Sequence, residues 1–116
     1  MESTEVDVIV KDAAIKDDDG KVRLDLLPVA PLWEVARVYT YGASKYAPDN
    51  WRKGMNWSRI YAALQRHLFK FWNGEGIDPE SGLPHLAHAA FGVLTLLEYE
   101  RSRDEFDDRV KPTNDE

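Results

Sequence analysis

Cysteine is missing from the chain altogether, which excludes disulfides and thiolate metal centres and leaves the redox setting compatible with a reducing cytoplasm. Also missing is any apolar run long enough to span a bilayer. The N-terminal MESTEVDVIV has no basic stretch ahead of a sustained apolar one, so no membrane partner or secretory leader is expected, and the predicted location is the cytoplasm. There is no glycine-rich phosphate loop of the P-loop or dinucleotide-binding type, and no Ser-His-Asp order that would suggest acyl transfer. Positive charge is in short supply: 15 Lys and Arg stand against 21 Asp and Glu, for a net charge of -6. Such an excess repels a polyanion over most of the surface, so nucleic acid is not an expected partner.

What is present suits one soluble domain. The 116 residues are enough for a single core and too few for two, and 43% hydrophobic with 31% charged residues is a globular composition. The acids gather in KDDDGK near the start and DEFDDRVKPTNDE at the end. Between them, YGASKYAPDNWRKGMNWSR holds Lys45, Arg52, Lys53 and Arg59 against Asp49 alone, so an anion site is expected there.

The predicted fold class is all-α: a small bundle of three main helices with a short irregular or β-containing N-terminal segment. Residues 1–27 form an N-terminal arm, with a β-branched run at 6–10 that suits a short strand or hairpin and a turn at Asp19-Gly20. Residues 28–103 form the helical domain. Its first helix, over about 31–45, follows from Pro31 and from Leu32, Val35, Ala36 and Tyr39 at helical spacing. The second starts near Ser58, carries Ile60, Tyr61, Leu64, His67, Leu68 and Phe71 on one face, and ends at Asn73-Gly74. The third runs from about Pro84 to Arg103 and is apolar nearly all round, which predicts a central position and a homo-oligomer interface along it. Residues 104–116 are an acidic tail expected to fray.

Two of the three histidines, His85 and His88, share a stripe of polar or small residues on that third helix with Gly92, Thr95 and Tyr99. His67 lies on the inward face of the second helix, so all three can converge on one interior seam. Imidazoles so placed can ligate a divalent transition metal, with Asp78 and Glu80 adding oxygen ligands or a general base. The alternative is that the rings hydrogen-bond backbone or carboxylates inside the bundle. Arg66 lies with Arg59 and Lys70 on a basic stripe that, with Lys45, Arg52 and Lys53, could clamp phosphates, or could simply be a solvated face. Tyr46, Trp51 and Trp57 alternate with those cations, which suits either base stacking or core packing.

Taken together, KVRLDLLP, YGASKYAPDNWRKGMNW and RHLFKFWNGEGIDPESGLPHLAHAA resemble the phage-associated N-terminal domain of dATP/dGTP diphosphohydrolases over roughly residues 20–100. The matching positions are Lys45, Tyr46, Asn50, Trp51, Arg66, His67, Asp78, Ser81, Gly82, His85 and His88. The resemblance implies a helical domain in the host cytoplasm that handles purine deoxynucleoside triphosphates and cuts between the α and β phosphates, releasing monophosphate and pyrophosphate. MazG-type pyrophosphatases, associated with such domains, hold magnesium with E-x-x-E and E-x-x-D pairs. Here Glu2/Glu5 and Glu105/Asp108 have those letters, at opposite ends of the chain.

The resulting expectation is metal-assisted hydrolysis of a purine nucleotide. His67, His85 and His88 hold a divalent ion, magnesium or a transition metal. Asp78, Glu80 and Arg66 are the candidate catalytic residues, and Lys45, Tyr46, Asn50, Trp51, Lys53, Trp57 and Ser81 bind substrate. The alternative is a non-catalytic module that sequesters a nucleotide or signalling nucleotide. A structural or single-strand-binding bundle is a third reading, disfavoured by the net charge.

Overall fold

The computed structural model describes residues 12–112. Three helices account for the body: α1 (Val29–Lys45), α2 (Trp57–Trp72) and α3 (His85–Ser102). No strand occurs among the described residues, only an isolated bridge between Ile77 and Pro84. The strand predicted at residues 6–10 lies outside the described residues. The turn at Asp19-Gly20 is present, with Gly20 at φ 75° and the Lys21 amide donating to Asp18 O at 3.1 Å. None of the described helices is long and apolar enough to cross a membrane.

α1 begins two residues before the predicted start. Pro28 takes the extended N-cap conformation, and Pro31 falls in the first turn, where its missing amide hydrogen leaves no bond unmade. α2 ends in a Schellman motif, in which the Gly74 amide (φ 98°) donates to Phe71 O and the Glu75 amide to Lys70 O, each at 3.0 Å. That motif fixes where Glu75 emerges.

α3 is the central helix, with α1 and α2 packed against it. Its buried face is the polar and small stripe: His85, His88, Gly92, Thr95 and Tyr99 are all buried, whereas Leu86, Val93, Leu94 and Leu97 are exposed. Gly92 explains part of this inversion, because a Cβ there would lie 3.1 Å from Leu64 Cβ and hold α2 away. Hydrogen bonds explain the rest. Tyr99 donates to Trp51 O at 2.7 Å, Thr95 pairs with the Tyr39 hydroxyl at 3.0 Å, and no buried side-chain polar atom among the described residues lacks a partner.

The tail does not fray at its start. Residues Asp104–Phe106 make a 3-10 turn that brings Phe106 against the core of Trp57, Ile60 and Tyr99. Phe106 also covers Gly54, whose φ of 94° and lack of a Cβ allow the contact. Asp108 then accepts from the Ser58 amide at 2.9 Å and the Ser58 hydroxyl at 2.6 Å, neutralising free donors in the first turn of α2. The sequence predicts a frayed acidic tail; an unsatisfied helix N-terminus instead gives one of its carboxylates a partner.

Candidate functional site

The end of α2, the connection at 73–84 and the first turn of α3 meet at one place. The connection is held as a tight loop: the His85 amide donates to Gly76 O, the Asp78 amide to Leu83 O, and the Gly82 amide to Asp78 O, with Gly82 at φ 74°. Asp78 folds inward because its Oδ1 accepts from the Glu80 amide at 3.1 Å, and its Oδ2 from the Ser81 hydroxyl at 3.3 Å. His67 comes from α2, His85 and His88 from α3.

His67, Asp78 and His88 each offer a ligand atom, all within 4.8 Å of one another. The His67 and His88 rings stack at 4.4 Å, 7° from parallel. His88 Nε2 and Asp78 Oδ2 are 3.5 Å apart. That is long for a hydrogen bond, but near the roughly 3.0–3.5 Å that separates two donors each about 2.0–2.2 Å from a shared ion. Ser81 Oγ lies 2.7 Å from His88 Nε2 and also accepts from the Leu83 amide at 3.2 Å. Asp78 and Ser81 thus approach the same imidazole nitrogen, whereas a nucleophilic triad needs them on opposite nitrogens.

The electrostatics favour a cation. Burial lowers the His67 pKa, and the neighbouring His88 and His85 lower it further. Burial also lowers His88, outweighing the attraction of Asp78. For Asp78 burial acts in the upward direction, yet the Glu80 amide, His88 and Ser81 bring the carboxyl below its ordinary value. Two neutral imidazoles and one carboxylate are the protonation states metal ligation requires.

His85 departs from its predicted role as a ligand. It is 1% exposed, and both ring nitrogens are occupied: Nε2 by Glu75 Oε2 at 2.7 Å and Nδ1 by His67 Nδ1 at 2.9 Å. The i, i+3 spacing puts His85 and His88 on one side of α3, but His85 lies a turn lower, against the end of α2. Glu75 was not among the predicted site residues, although the Asn-Gly stop signal before it marks where the chain turns back.

Glu80 also stands apart from the group. Its Oε2 accepts from Lys45 Nζ at 2.8 Å and from the Tyr41 hydroxyl at 3.1 Å. Lys45 and Tyr41 hold that carboxyl below its usual value. Arg66 is exposed next to His67, in line with exposed Arg59 and Lys70.

A second concavity, about 730 Å³, is lined by Tyr39, Tyr46, Asn50, Trp51, Arg52 and Phe91 among others. The Arg52 guanidinium sits 4.5 Å over the Trp51 ring, and Lys45 Nζ lies 5.6 Å from the centroids of both Tyr41 and Tyr46. Lys53 is exposed on the 3-10 turn Asn50–Lys53 and does not line this cleft. Trp57 is a core residue, contrary to its predicted place in the substrate site. It is 5% exposed, and its indole N–H donates to Arg103 O at 3.0 Å. Sequence alone could not separate it from Trp51, because both stand beside cations in the same stretch.

Comparison with known proteins gives two matches. The family described as dATP/dGTP diphosphohydrolase, N-terminal, matches residues 11–109. A dATP/dGTP diphosphohydrolase of Salmonella phage PMBT28 is 38% identical over 95 residues, covering 82% of this chain and 32% of that protein. The chain therefore spans about a third of the length of that relative. No solved structure matches.

Proposed function

The chain belongs to the family of dATP/dGTP diphosphohydrolase N-terminal domains, and from that membership we propose that it takes part in metal-assisted hydrolysis of purine deoxynucleoside triphosphates to monophosphate and pyrophosphate. The observation that carries this reading is the convergence of His67, Asp78 and His88 within 4.8 Å, inside the range the family matches. Two imidazoles with one carboxylate suit a divalent transition ion such as manganese or cobalt better than magnesium, which prefers an all-oxygen shell. Held by His67, Asp78 and His88, such an ion would supply Lewis acidity to a phosphate oxygen.

The chain's own groups divide the remaining work. Asp78 would serve as the oxygen ligand, and the Ser81 hydroxyl, 2.7 Å from His88 Nε2, would yield that nitrogen to the ion while keeping its bond to Asp78. Lys45 and Arg66 neutralise phosphate charge, Lys45 exchanging Glu80 for substrate. The base stacks at the cleft of Tyr46, Asn50 and Trp51, whose edge adjoins Lys45. Incubation of purified protein with dGTP or dATP and Mn²⁺, Co²⁺ or Mg²⁺ tests this: monophosphate and pyrophosphate are expected, and their absence with every ion removes the reading.

A nucleotide-binding module without turnover is the second reading. It is favoured by the pairing of Glu80 with Lys45 and Tyr41, which leaves Asp78 as the one carboxylate of the group. Calorimetric titration showing tight nucleotide binding, with no product formed, would select it.

A further inference from the structure

Glu75 and His85 stand outside the group of His67, Asp78 and His88, and both ring nitrogens of His85 are occupied. A carboxylate accepts hydrogen bonds and does not donate them, so the 2.7 Å contact to Glu75 Oε2 requires a hydrogen on His85 Nε2. At the mildly alkaline pH of the test below, where the ring is uncharged, an imidazole protonated at Nε2 has a bare Nδ1. The 2.9 Å contact between the two Nδ1 atoms then takes its hydrogen from His67. With its hydrogen on Nδ1, His67 has its lone pair on Nε2, the nitrogen left for ligation.

We infer that Glu75 and His85 form a hydrogen-bonded relay that fixes the tautomer and ring orientation of His67, presenting its Nε2 to the group it forms with Asp78 and His88. The inference rests on the metal reading above. Both members are positioning residues. The Schellman motif at the end of α2 sets the Glu75 backbone, through its amide bond to Lys70 O at 3.0 Å. The His85 ring is confined by burial at 1% exposure, and its own amide is tied to Gly76 O at 2.9 Å. Rigid backing of this kind orients a ligand and raises its basicity, and its loss typically weakens metal affinity by roughly 10–100-fold.

Two measurements on the full chain test the relay. The first is ¹⁵N spectroscopy of histidine-labelled, metal-free protein at mildly alkaline pH, which reports ring tautomers directly. His67 is expected as the Nδ1–H form and His85 as the Nε2–H form. A His67 ring protonated at Nε2 overturns the inference. The second is calorimetric titration with Mn²⁺ and Co²⁺ of the unaltered protein, Glu75→Ala and Glu75→Gln. Glu75→Ala should bind roughly 10–100-fold more weakly with unchanged helical circular dichroism. Glu75→Gln retains an acceptor oxygen and should recover most of the loss, which a merely structural role at the exposed end of α2 would not produce. Equal affinity in Glu75→Ala and the unaltered protein overturns the relay while leaving the metal reading intact. No ion uptake by the unaltered protein removes the metal reading and with it the positioning role, and the tautomer spectrum still reports whether the hydrogen-bond chain exists.

Discussion

Burial sets the protonation of the two imidazoles in the group of His67, Asp78 and His88. His67 and His88 have pKa values lowered chiefly by burial, while in the unfolded chain each returns to about 6.5. The unfolded state therefore takes up protons first as pH falls, so stability is full above about pH 6.5 and is lost below it, towards the lowered values. Thermal unfolding should give a flat midpoint from pH 8 to 7 and a decline on acidification to pH 5, and a His67→Gln/His88→Gln variant should flatten that decline. Loss of a direct ligand should outweigh loss of an outer hydrogen-bond partner: His88→Ala or Asp78→Asn should weaken Mn²⁺ or Co²⁺ binding by more than the roughly 10–100-fold expected for Glu75→Ala, as read by calorimetry. Two of the three members of the group were legible as histidines on inward helix faces, and Asp78 as a candidate oxygen ligand. That His85 stands outside the group was not, because it depends on a carboxylate at the end of another helix.

At the scale of elements, the close approach of α2 and α3 depends on one missing side chain. A Cβ at Gly92 would meet Leu64 Cβ at 3.1 Å, and that atom is anchored directly to the α2 backbone, so relief requires the helices to separate. Gly92→Val should destabilise by about 1–3 kcal/mol in chemical denaturation, as overpacking does, despite removing a helix-interior glycine. The start of α2 has the complementary dependence on the tail. The Ser58 hydroxyl and amide lower the Asp108 pKa, so its contribution is present above the ordinary carboxylate range and fades as pH falls through the lowered value. Asp108→Ala should lower the melting temperature by a few degrees at pH 7, and the difference from the unaltered protein should shrink towards pH 3. Helical periodicity marked α1, α2 and α3 to within about two residues. It said nothing of the docked tail, since capping by a residue fifty positions away in sequence has no periodic signature.

For the whole molecule, the small core and the exposed flanks of its helices belong together. Tyr61 and Leu68 on α2, with Leu86, Val93 and Leu97 on α3, remain exposed although the sequence around them is strongly apolar. A groove of about 580 Å³ lined by Tyr61, Val93 and Leu97 runs along this side. A second copy of the chain is the partner predicted from the apolar third helix. Sedimentation velocity should show a dimer that a Val93→Glu/Leu97→Glu variant converts to monomer with its helical content retained.

The sequence by itself determined the all-helical class, the central place of α3 and the family, because periodicity and a long specific string of residues are properties of the chain in one dimension. It also placed His67 and His88 on faces that could meet. Only the tertiary structure decided that His85 backs the group while Asp78 joins it, that Glu80 pairs with Lys45, and that Trp57 is core while Trp51 borders a cleft. Each of those outcomes turns on distances between groups from different elements. A carboxylate two or three residues nearer in sequence has no advantage until folding fixes which one reaches the imidazole.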